Sequence, residues 1–170
     1  MEIDTTQFAI SLLLRWAHIL AAITAVGGTI FMRLALLPTA SELPETDRKT
    51  LHEGIRRRWA MWVHLSIGFL LVSGFYNYFV YTRLKHEDDG LYHGLFGIKF
   101  LLAMVIFFVA SMLMGRSPAA DRFRQKRKAW LTLNMALAIA VVLISGVMRT
   151  LPQKPRPTEL APATTAAEAP

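Results

Sequence analysis

Four apolar runs, the first longer and the other three close to the roughly 20 residues needed to cross a bilayer core, are separated by connections that hold most of the charge. This alternation confines the chain to an all-α membrane fold, because in lipid every backbone donor and acceptor must be satisfied within the segment that crosses. The runs extend from Phe8 to Leu37, between Arg58 and Arg83, between His93 and Arg116, and between Lys128 and Arg149. The expected architecture is a four-transmembrane-helix bundle. It forms one domain over residues 1–151, with spans at about 10–36, 58–82, 94–115 and 129–149, followed by a Pro, Ala and Thr rich tail over 152–170 that has too little apolar surface to fold.

Charge placement orients the spans. The connection from Pro38 to Arg58 carries Arg48, Lys49, Arg56, Arg57 and Arg58, and that from Ser117 to Lys128 carries Arg122, Arg124, Lys126, Arg127 and Lys128. Both belong on the cytoplasmic side by the positive-inside rule, which puts the N-terminus and C-terminus in the periplasm of a bacterial inner membrane. The connection from Thr82 to Tyr92 sets Arg83 and Lys85 against Glu87, Asp88 and Asp89, a balance suited to the outer face. The net charge of +7 is therefore a topological signal and not a sign of a nucleic-acid partner. The acidic start of the chain and the lack of a small-residue cleavage motif predict a retained first helix. Trp16, Trp59, Trp62, Trp130, Tyr76, Tyr78, Tyr81 and Tyr92 fall near span ends, where they should anchor the helices at the interfaces. Pro44, with Leu51 and Ile55 at helical spacing, predicts a short interfacial helix before the second span.

Ionisable side chains inside hydrocarbon are costly, which singles out His18, His64 and Lys99. At 1.5 Å per residue, His18 and Lys99 lie roughly 9 and 8 Å to the outer side of the bilayer centre, and His64 roughly 10 Å to the inner side. Two axial ligands of one haem iron must come within about 4 Å of each other, so His18 and His64, about 19 Å apart along the normal, do not share a haem. A haem b on His18 alone fits, with Lys99 beside a propionate or as a second ligand and Arg15 either snorkelling or meeting a propionate. Hydrogen bonding to a neighbouring backbone carbonyl or to a hydroxyl explains His18 equally well.

Met32, Met61, Met112, Met114 and Met135 all map to the half containing His64, and Met61 and His64 share a helix face at i, i+3. Imidazole and thioether suit copper(I), which makes His64, Met61, Met112 and Met135 an alternative metal set; methionine is also the usual filler of helix interfaces. Cysteine is absent, so thiolate sites are excluded. The acidic residues lie in connections and tails, against a carboxylate proton relay, and no nucleophile or paired-carboxylate site emerges. The stripe Ala17, Ala21, Ala25, Gly28 and the pair Gly68 and Gly74 are expected to let helices approach closely, and Asn134 to bond across helices.

These residues resemble the four-helix membrane families around CopD-type copper-resistance proteins, HemJ-type protoporphyrinogen oxidases and the membrane part of PuuD-type urate oxidases. The matching segments are Leu14-Arg15-Trp16-Ala17-His18-Ile19-Leu20-Ala21 with Gly27-Gly28 and Phe31, then Arg56-Arg57-Arg58 with Gly74-Phe75-Tyr76, and Gly97-Ile98-Lys99 with Gly115-Arg116. The HemJ-type resemblance implies functional roles for His18 and Lys99, although the late span-three histidine of that family is replaced by Val109-Ala110-Ser111-Met112. The CopD-type resemblance implies copper handling, with His64 and the methionines as carriers. Three readings follow. The first is a haem- or porphyrin-binding redox protein whose partner is a quinone or a periplasmic electron carrier. The second is a copper-binding or copper-transport protein, and the third a structural or assembly subunit. Four helices scarcely enclose a macrocycle, which favours a homodimer for the first of these.

Overall fold

The computed structural model describes residues 5–82 and 90–150, all in helices and the short joints between them. Helix α1 (Thr5–Phe31) passes through a π-helical turn at Met32–Leu36 into α2 (Leu37–Ser41), and α3 (Glu45–Asn77) ends in a second π-helical turn at Tyr78–Thr82. Helix α4 (Gly90–Met114) is followed by α5 (Pro118–Gln125) and α6 (Arg127–Thr150). Four stretches are long and apolar enough to cross a membrane: Thr5–Ser41, Glu45–Val80, Gly90–Met114 and Arg127–Thr150. The protein is thus all-helical with four potential spans. The predicted tail and most of the Thr82–Tyr92 connection lie outside the described residues.

Local chemistry explains the joints. Pro38 has no N–H to return to Leu34 and its ring crowds that carbonyl; the turn just before it is widened, with the Leu37 N–H bonded five residues back to the Met32 carbonyl. Pro44, extended at φ −53° and ψ 150°, starts α3, and Glu45 and Asp47 in the first turn suit the positive end of its dipole. The expected short helix leading into the second span is continuous with it and forms the first turns of α3. Between Pro44 and Asn77 no residue lacks a backbone donor, and the Arg56-Arg57-Arg58 run stays helical, so nothing stops the helix before the apolar run. Helix α5 was not anticipated, although its signal is present: Ser117 caps it by accepting from the Ala120 N–H at 3.2 Å, and Pro118 follows at the first helical position.

Helix α1 packs chiefly on α3, and α4 chiefly on α6; smaller contacts of α3 with α4 and of α1 with α6 close the ring. Buried apolar residues are few. The main cluster is Val109, Leu113 and Leu131, covered by Met32, Leu37, Met114 and Trp130. Leu13, Leu20, Leu101 and Leu143 are exposed on the outside. Such a surface would be a liability in water, and it is the expected contact surface with lipid. Of the four tryptophans, Trp16 and Trp62 face outward, whereas Trp130 stacks on Phe123 with centroids 4.3 Å apart and Trp59 lies over Gly28. Gly28 is required there, because a Cβ would overlap the Trp59 ring. Gly68 has nothing within 4 Å of a prospective Cβ, so the expected notch at that position is not used within one chain.

Candidate functional site

His18 projects from α1 onto α3, where its Nδ1 lies 2.7 Å from Ser73 Oγ and its Cε1 lies 3.9 Å from the place a Cβ would take at Gly74. Ser73 is buried, and its hydroxyl donates to the Phe69 carbonyl one turn earlier. A serine hydroxyl has one proton, and here that proton is committed to Phe69. The His18 Nδ1–H must therefore be the donor to Ser73 Oγ. In the neutral ring this leaves Nε2 with its lone pair free, the arrangement by which proteins fix the tautomer and orientation of a ligating histidine. The expected alternative, a histidine satisfied by a neighbouring helix, is met at Nδ1 and only there.

Lys99 of α4 is partly buried and lies within electrostatic range of the His18 ring. It makes no hydrogen bond or ion pair with any described residue. Thus the two ionisable residues assigned to one depth are also spatial neighbours. An aromatic shelf between α3 and α4 flanks that level: Phe75 and Phe100 meet with centroids 5.5 Å apart, and Tyr78 stacks on Phe96 while its hydroxyl lies 3.2 Å from His93 Nδ1. Arg15, one turn before His18, is exposed.

The alternative metal set is more dispersed. His64 is exposed and its Nδ1 lies 2.6 Å from the Ala60 carbonyl of its own helix. Met61 shares that outward face, while Met112 on α4 and Met135 on α6 are partly buried. Since His18 meets α3 at Ser73, His64 sits roughly two and a half turns, about 14 Å, away along that helix. The two histidines therefore do not share an ion. Among the described residues no group of three or more His, Cys, Asp or Glu side chains is placed to hold a metal. Asn134 corrects another expectation: it is 2% exposed, yet its Oδ1 has no hydrogen-bond partner, on a helix face that it shares with the buried Leu131 and Ala138.

Sequence reasoning overlooked Ser73, His52 and Arg127. Ser73 stands one position before Gly74 within an apolar run, where a hydroxyl on a small-residue face marks a helix contact. His52 precedes Arg56 by one helical turn, so the pair shares a face. Arg127 belongs to a basic connection whose charge orients the spans, and that signal does not say where one side chain of the run points.

Fold and site together define a multi-pass α-helical membrane protein with an oriented imidazole inside its helix packing. The copper transport protein CutJ of Bacillus subtilis (strain 168) is 28% identical to the chain over 151 residues, covering 87% of the chain and 26% of CutJ. The chain thus spans about a quarter of that relative's length. No protein-family model and no solved structure matches it.

Proposed function

We propose that the chain handles copper in a bacterial inner membrane, with its Arg-rich connections in the cytoplasm and its ends in the periplasm. The similarity to a copper transport protein along 87% of the chain carries this reading, and the charge asymmetry of the connections supports the orientation. Copper is the cargo. His18 is the preferred nitrogen donor, because its ring is held at Nδ1 by Ser73 and Nε2 stays available. His64 with Met61, Met112 and Met135 remains the alternative set; in one copy its His64 and Met61 point outward, where copper would have to arrive from lipid or from a neighbouring protein.

A haem on His18 is the second reading, and the unpartnered Lys99 beside the ring favours it, since an ammonium at that depth suits a propionate. The site offers such a group one axial nitrogen. A single preparation separates the two. Detergent-purified protein is titrated anaerobically with copper(I) against a chromophoric chelator, and its visible spectrum is taken oxidised and reduced. Copper(I) retention that falls at least tenfold in His18→Ala and is unchanged in His64→Ala supports copper at His18. Loss in His64→Ala alone moves the ion to the alternative set. A Soret band that shifts on reduction, with no copper(I) retained, overturns the copper reading in favour of haem.

A further inference from the structure

At the end of the molecule that carries the basic connections, a cleft opens between α2, α3, α4 and α6. Its rim carries His52, Arg56 and Arg127, and its floor is apolar, with Leu36, Met114 and Leu131. The cations come from two different helices, so no local sequence run explains their convergence. Arg56 Nη1 donates to the Gly115 carbonyl at 3.0 Å, and Arg124 donates to the same oxygen while pairing with Asp121. Arg124 is thereby engaged on both arms at the negative end of α4, whereas Arg56 uses one arm there and keeps its other N–H groups. Arg127 is not occupied: it is partly buried, makes no hydrogen bond or ion pair with any described residue, and lies within electrostatic range of Arg56, Arg124 and His52. Arg48 also faces His52.

Like charges held together at a half-buried rim repel one another, and the one acidic side chain paired nearby, Asp121, is already taken by Arg124. An anion seated among them would offset that repulsion. Its surroundings identify which kind. The cleft lies at the ends of the long apolar helices, beside the basic connections, and Met32 and Leu36, which bound the π-helical turn before Pro38, line it, so the irregular backbone is positioned at an apolar opening. A charged rim above an apolar floor at the interface matches a phosphate headgroup with the start of an acyl chain, the geometry of basic pockets between transmembrane helices.

We propose that this cleft is a binding site for an anionic phospholipid, with its phosphate on Arg127, Arg56 and His52 and its chain along Leu36 and Leu131. The site is separate from His18 and does not depend on the copper reading. The full chain in a neutral detergent is titrated with phosphatidylglycerol, with phosphatidylcholine and with inorganic phosphate. Lipid retained in native mass spectra and the unfolding midpoint are the two readouts. Phosphatidylglycerol should be retained and should raise the midpoint, with neither effect from phosphatidylcholine. Arg127→Gln should weaken retention about tenfold and His52→Gln severalfold, whereas Arg122→Gln, an exposed basic residue outside the cleft, should leave it unchanged. Arg127→Lys, which keeps the charge, should recover part of the loss. Equal retention of both lipids overturns the proposal, as does wild-type retention in both Arg127→Gln and His52→Gln. Competition by inorganic phosphate alone at the same concentrations also overturns it, by making this a site for soluble anions.

Discussion

The two principal helix pairs solve the same packing problem by opposite means. Along α1–α3 the contacts come from small residues and directed polar atoms: Ala21 and Ser73 are buried, Gly28 receives the Trp59 ring, and His18 is tethered through Ser73 to the Phe69 carbonyl. Along α4–α6 the contacts are broad and apolar, built on Val109, Leu113 and Leu131, and the one fully buried polar side chain there, Asn134, leaves its Oδ1 unpaired. Lipid tails are as apolar as leucine, so apolar area alone gives helices little reason to prefer each other over lipid. Close approach and hydrogen bonds supply that preference in the first pair. The second pair relies on shape, and it tolerates an unpaired amide because no directed contact there has to be kept. A ring that must present one nitrogen in one direction belongs in the first kind of seam.

Substitutions at Gly28 test this contrast most severely. Gly28→Ala inserts a methyl group into the Trp59 ring and should cost about 1–3 kcal/mol, read as a lower unfolding midpoint in detergent. Gly27→Ala, where nothing lies within 4 Å, should be neutral or slightly stabilising. If both behave alike, close approach is not what holds α1 to α3. In the other pair the sign should reverse. Asn134→Leu keeps the volume and removes a buried unpaired acceptor, so a gain of about 1–2 kcal/mol is expected. A loss of similar size would mean that Asn134 has a partner, and the contrast between the pairs would fail.

How much of this was legible in the sequence follows from the same contrast. Hydropathy found the four helices long and apolar enough to cross a membrane, because in lipid length and apolarity are the dominant constraints. Depth counting assigned His18 and Lys99 to one level, since the rise per residue is fixed, and the two lie within electrostatic range of each other. Facing was not legible. Period and spacing gave Gly28 and Gly68 equal standing as notches, yet only Gly28 meets a ring, and Asn134 carried the same polar signal as Ser73 while ending in an apolar seam. Which helices pair is decided by surfaces far apart in the chain. His52 and Arg127 acquire meaning only through that pairing, which is why a run of basic residues concealed a cleft.

Ser73→Ala examines the polar half of the contrast with a smaller effect. Hydrogen bonds between transmembrane helices average about 0.6 kcal/mol and reach about 1.7 kcal/mol, and a bond in the middle of a directed chain belongs in the upper part of that range. The more discriminating readout is the ring itself. Nitrogen NMR of labelled histidine should show His18 protonated at Nδ1 in the native protein and a mixture of tautomers in Ser73→Ala. A native ring protonated at Nε2 would reverse the donor assignment and remove the free nitrogen from both functional readings.

The weakest effect is expected where the two pairs are joined. Arg33, in the π-helical turn after α1, donates from Nε to Thr132 Oγ1 of α6 at 2.6 Å, and the Thr132 hydroxyl in turn donates to the Lys128 carbonyl at 2.9 Å. This contact has the same layout as the His18–Ser73 chain, a donor ending on a hydroxyl that is itself tied to its own helix. The difference is exposure: the Arg33 bond is open to water or headgroups, which replace it when it is lost. A double-mutant cycle of Arg33→Gln with Thr132→Val should give a coupling of about 0.5 kcal/mol or less, below that of His18 with Ser73. A coupling equal to the His18–Ser73 value would show that burial is not what makes the α1–α3 contact strong, and that the pairs are bound to each other as firmly as each is within itself.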